Sequence, residues 1–158
     1  MATRKSGLTP LWKKSDINKL FKKVGERADM VIYQLLQRTG EEFVKVARLS
    51  GQYIDHTGNL RSSIGYVIVK DGKILGKDFR VSDSIGTDKE TGKREAEQLA
   101  TDLVRTYNNG YVLIAVAGMK YAVFVEAIEN KDVVSLAASR SDEFIRKQSK
   151  LLFNKLSI

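Results

Sequence analysis

The chain has 158 residues, 42% hydrophobic and 29% charged, with one proline, one histidine and no cysteine. That length suits one globular domain, with enough apolar side chains for a core without covalent staples. Lack of cysteine excludes disulfides and thiol chemistry and removes zinc's commonest ligand. The formal net charge is +8, and it gathers at the two ends. Residues 1–23 carry seven Lys/Arg against one acid, and residues 139–158 carry five against two. Such ends contact nucleic acid or an acidic partner, or else simply solvate a helix face. No run approaches the ~18 apolar residues of a membrane span. The first residues lack the apolar stretch of a secretory leader, so the cytoplasm is the expected compartment.

Residues 1–14 read as a flexible basic arm containing Pro10 and Trp12. Residues 15–158 are expected to form one α+β domain. Ser15 or Asp16 is placed to cap a helix whose apolar positions are Ile17, Leu20, Phe21, Val24, Ala28, Val31, Ile32, Leu35 and Leu36. The face resumes at Phe43, Val44 and Ala47, which carries the helix to about Leu49, with a break or kink allowed at Gly40. Thr57 is placed to cap a short turn through Leu60 and Arg61. Residues 64–70 read as a strand, Asp71-Gly72 as a type I′ hairpin turn, and 73–81 as the partner strand. Residues 82–93 read as a polar loop, and about 93–107 as a second helix ended by Asn108-Asn109-Gly110. The unbroken apolar run 111–117 predicts a central strand covered on both faces. Residues 121–126 fit a helical turn or a strand, and 131–136 a short strand. Ser139 or Ser141 then caps a closing amphipathic helix. The expected architecture is a long N-terminal amphipathic helix and a C-terminal helix packed on a curved, mainly antiparallel sheet.

Chemistry is thinly represented. His56 stands beside Asp55, but neighbours in extended chain point to opposite sides, so the pair orients an imidazole poorly. The acids Asp83, Asp88 and Glu90 do not follow a calcium-loop spacing, and no glycine run forms a phosphate cradle. Glu126 and Glu129 are spaced to share a helix face, which is short of a paired-carboxylate site. The expectation is no enzyme, no cofactor and no metal. Lys13, Lys14, Lys19, Lys22 and Lys23, interleaved with Trp12 and Phe21, are the candidates for contact with DNA or an acidic partner. Phe21 also falls on the apolar stripe of the first helix, where a core role is the commoner one.

Two short segments carry a resemblance. Thr57-Gly58-Asn59-Leu60-Arg61-Ser62-Ser63-Ile64 matches a T-G-x-L-R-x-S-I pattern, and Tyr121-Ala122-Val123-Phe124-Val125-Glu126 matches Y-A-x-x-V-E. In this order, after a long helix, they resemble tailed-bacteriophage neck, head–tail joining and tail-completion (minor tail) proteins over roughly residues 15–155. The resemblance implies a structural virion protein, one subunit of a ring that DNA passes through. Its implied partners are itself, neighbouring connector or tail proteins and, non-specifically, the genome, with no membrane. It would assemble in the bacterial host cytoplasm and end in the virion neck or tail. Thr57, Gly58, Leu60, Arg61 and Ser63 would set the turn, and Tyr121, Ala122 and Glu126 would fix the element after the strand. The chain departs from the pattern in having Ala127-Ile128 after Glu126, where Gly-Thr is usual, and in the extra loop and helix over 82–107. A small basic nucleic-acid-binding protein of a mobile element is the alternative.

Overall fold

The computed structural model describes residues 12–49, 55–83, 86–118 and 134–156. The chain divides into two units, Met1–Ile32 and Tyr33–Ile158. The boundary falls inside the first helix, α1 (Lys14–Leu49), whose first turn carries Asp16 and last turn Arg48, each at the end that suits its charge. In the first unit the stripe residues Leu20, Phe21 and Val24 are exposed.

The second unit holds the core. After α1 come α2 (Asn59–Ser62), β1 (Ile64–Lys70), β2 (Lys73–Asp78), α3 (Glu90–Val104), β3 (Tyr111–Ala117) and α4 (Ser135–Leu156). The three strands form one antiparallel sheet in the order β2-β1-β3. Asp71 and Gly72 both have positive φ, 50° and 75°, as the hairpin turn requires. The β1–β2 register shifts between Ile68 and Val69.

Strand alternation sorts β1 between two layers. Val67 and Val69 face Ala96, Ala100 and Val104 of α3, joined by Ile114 and Val116 of β3 and by Phe79. Ile64, Tyr66 and Ile68 face the other way, among Leu36, Phe43 and Ala47 of α1 and Ala137 and Ile145 of α4. The α+β architecture, with long N-terminal and C-terminal helices on an antiparallel sheet, is as the sequence predicts.

Several details correct the sequence reading. Among the described residues the central strand is β1, buried at six of its seven positions, and β3 pairs on one side only. An apolar run reports that both faces are covered, and β3 does pack on both; it says nothing of lateral position. The partner strand stops at Asp78, three residues short of Val81, and α3 starts and ends three residues earlier than expected. Helix α4 begins at Ser135, so residues 135–136 are helical, and neither Ser139 nor Ser141 is the cap. Helix α1 runs through Gly40 without a break, one of the two outcomes the sequence allows. A Cβ there would stand 2.6 Å from the Tyr66 ring, so glycine is the residue that lets the helix sit on the sheet. Tyr121, Ala122 and Glu126 lie outside the described residues.

Candidate functional site

The residues from Asp55 to Ser63 form a clasp. A chain leaving a long helix for a central strand must turn sharply, and Gly58 does so with φ 76°, in the left-handed region that side chains disfavour. The four-residue α2 then needs acceptors for its first N–H groups. Asp55 supplies them: its Oδ2 accepts from the Arg61 N–H at 2.8 Å and its Oδ1 from the Leu60 N–H at 3.3 Å. Thr57, the expected cap, accepts from the Asn59 N–H through Oγ1 at 3.3 Å. Asp55 is therefore spent on the turn, and its neighbour His56 is exposed.

From this turn, side chains reach every layer of the second unit. Asn59 Oδ1 accepts from the Gly92 N–H of α3 at 2.9 Å, and its Nδ2 donates to Asp88 Oδ2 at 3.4 Å. The Asp88 N–H returns a bond to the Thr57 carbonyl at 3.1 Å. Ser62 Oγ accepts from the Ser82 N–H at 3.0 Å, and the Ser63 carbonyl accepts from the Gly118 N–H beyond β3 at 2.9 Å. Arg61 Nε donates to the Arg48 carbonyl at 3.1 Å, closing the turn onto the end of α1. Arg48 Nη2 donates in turn to the carbonyls of Ile64 at 2.8 Å and Arg80 at 2.6 Å. Asn59, Ser62 and Ser63 are buried, and buried polar groups that are bonded fix one arrangement of the elements around them. Hydrogen bonds from Thr91 and Asn59 hold the Asp88 carboxyl below its ordinary value.

Four of these residues were not assigned roles from the sequence: Arg48, Asn59, Ser62 and, as a cap, Asp55. Asp55 was legible in principle, because aspartate is favoured where helix N–H groups lack acceptors. Arg48 and Asn59 were not, since their partners lie 16 and 32 residues away for Arg48 and 33 for Asn59. Of the pattern residues, Thr57, Gly58, Leu60, Arg61 and Ser63 all belong to the clasp, with Leu60 2% exposed beneath it.

Two of the cavities among the described residues lie on the second unit. One, of about 310 Å³, is lined by Arg48, Leu49, Arg61, Ser82 and Asp83 beside the clasp. The other, of about 250 Å³, lies between α1 and β2 and includes Tyr33, Glu41, Tyr66, Asp78 and Arg80. Asp78 and Arg80 pair at 2.7 Å. Burial, with smaller contributions from Glu41 and Asp78, pushes the Tyr66 phenol up to about 12. It therefore stays protonated near neutrality and serves neither as base nor as nucleophile there. Among the described residues, no group of three or more His, Cys, Asp or Glu converges as a metal site.

Lys13, Lys14, Lys19, Lys22 and Lys23 all lie exposed in the first unit. They are not one basic face. At 3.6 residues per turn, Lys19 and Lys22 share the side of α1 that carries Glu26 and Asp29, and Lys22 reaches Glu26 at 4.0 Å. No family model, curated protein or solved structure matches this chain.

Proposed function

We propose that this chain is a structural virion protein of a tailed phage or prophage, a subunit of the head–tail connector or tail-completion ring. The observation that carries the reading is the clasp. The segment Thr57–Ile64 that carries the resemblance is spent on joining helix, sheet and loop: Arg61 bonds Asp55 and Arg48, and Asn59 and Ser62, at the pattern's two variable positions, bond Gly92 and Ser82. Among the described residues, β2 and β3 each pair on one side only, which leaves edges available to neighbouring subunits. Rings form when such heterologous contacts close. Contact with DNA in this reading is non-specific and comes from the basic N-terminal residues.

The test is genetic and visual. Particles from a lysogen lacking this gene should show filled heads and tails that do not join, and the gene in trans should restore joining. Normally joined, infectious particles would sink the proposal. The second reading, a small basic nucleic-acid-binding protein, rests on the exposed lysines 13–23. It predicts tight duplex binding with steep salt dependence, lost when those lysines become glutamine. The balanced far face of α1 weighs against it.

A further inference from the structure

The exposed half of α1 has a charge arrangement that its apolar stripe alone does not require. At 3.6 residues per turn, Ile17, Leu20, Phe21, Val24, Ala28 and Val31 share one face between residues 14 and 32. Leu20, Phe21 and Val24 are 62%, 70% and 56% exposed. The residues flanking that stripe are Lys14, Lys23 and Arg27, with Asp16 the one acid among them. The opposite face carries Lys19 and Lys22 against Glu26 and Asp29, so it is neutral in sum. The excess positive charge of this segment therefore lies beside the apolar stripe, where a binding partner's rim would meet it.

We infer that this half of α1 is a docking surface for an acidic amphipathic helix of a different protein, apolar along its contact line and bordered by Asp or Glu. Charge complementarity selects this occupant. A second copy of the same segment would bring two cationic rims together, and like charges across an interface are penalised. The stripe has the three- and four-residue spacing of a protein-packing face, and the same helix shows that spacing again at Leu36, Phe43 and Ala47, which are buried against protein side chains on a face turned roughly 100° from the stripe. Helix-on-helix docking through spaced apolar anchors is a common recognition mode. The inference stands apart from the connector reading, because it rests on this segment alone.

The full-length protein should be titrated against a fluorescent helical peptide of roughly 20 residues, with leucine along one stripe and glutamate beside it. A counterpart with every glutamate changed to lysine is the control. The acidic peptide should bind at least about tenfold more tightly than the basic one. Phe21→Asp and Val24→Asp should each weaken it by about tenfold, and Lys23→Glu with Arg27→Glu should reverse the preference. Circular dichroism checks that the variants keep their helix. If Phe21→Asp loses helix, the charge reversal still decides, because Lys23 and Arg27 are exposed. Equal binding of both peptides overturns the inference. So does binding of phosphatidylcholine–phosphatidylglycerol vesicles without the acidic peptide, which would make the surface a lipid site. Self-association that Phe21→Asp abolishes, again without peptide binding, would make it a contact between copies and equally overturn it.

Discussion

The two halves of α1 share one sequence pattern and differ in what surrounds it. From Ile17 to Ile32 the apolar positions recur every three or four residues, and Leu20, Phe21 and Val24 stand in solvent. From Tyr33 to Leu49 the same spacing continues, and Leu36, Phe43 and Ala47 are buried against β1 and α4. An amphipathic period shows that a helix has a face to bury. It does not show whether the chain itself provides the cover.

That contrast is sharpest in stability. Phe43→Ala should cost about 3–5 kcal/mol, because it removes a 3% exposed ring and leaves a cavity. Phe21→Ala should change stability by less than about 0.5 kcal/mol. Denaturant unfolding of the two variants checks both values. Equal losses would mean that the first half of α1 is covered in solution.

The clasp gives the next effects. Gly58→Val should cost about 2 kcal/mol or more, since φ 76° is strained for a β-branched residue and the new Cβ would stand 2.9 Å from the Lys89 side chain. An unchanged melting temperature would show that the turn has another conformation open to it. Asp55→Ala should cost about 1 kcal/mol as a lost cap, with His56→Ala neutral beside it. If the histidine proved the costlier of the two, the capping assignment would be wrong.

The smallest effect is a pH dependence. The Asp88 carboxyl is held below its ordinary value in the folded chain. Its contribution is therefore present above the unfolded carboxylate range and lost as pH falls through the folded value. Asp88→Asn should lower the melting temperature slightly at neutral pH and leave it unchanged in strong acid. A difference of the same size at both pH values would mean that the carboxylate charge plays no part.

Local chemistry made much of the fold legible. Residues 64–70 are rich in β-branched and aromatic side chains, Asp71-Gly72 accepts positive φ, and α1 shows its period from Ile17 to Leu36 and again from Phe43 to Ala47. These features depend on neighbours within a few positions, so the strand, the hairpin and the long helix could be read directly. Errors and open choices came where the deciding contact is distant. At Gly40 the sequence leaves a break or a continuous helix open, and the Tyr66 ring packed on it is the distant contact that explains the glycine. The run 111–117 looked central because apolar coverage of two faces says nothing of which strands lie to either side.

The clasp divides along the same line. Thr57, Gly58, Leu60, Arg61 and Ser63 stood out as a pattern, but the pattern did not reveal what they join. Asn59 to Gly92, Ser62 to Ser82 and Arg48 to Arg80 are contacts that exist only once the chain has folded back on itself. By itself the sequence determined the element types, the α+β class and the concentration of positive charge at the ends, because each follows from composition or short-range periodicity. Only the tertiary structure decided that β1 is the central strand among the described residues, that Asn59 and Ser62 bond Gly92 and Ser82, and that Leu36, Phe43 and Ala47 of α1 are buried while Leu20, Phe21 and Val24 are exposed. Those outcomes depend on packing and hydrogen bonds between residues far apart in the chain, to which no local rule has access.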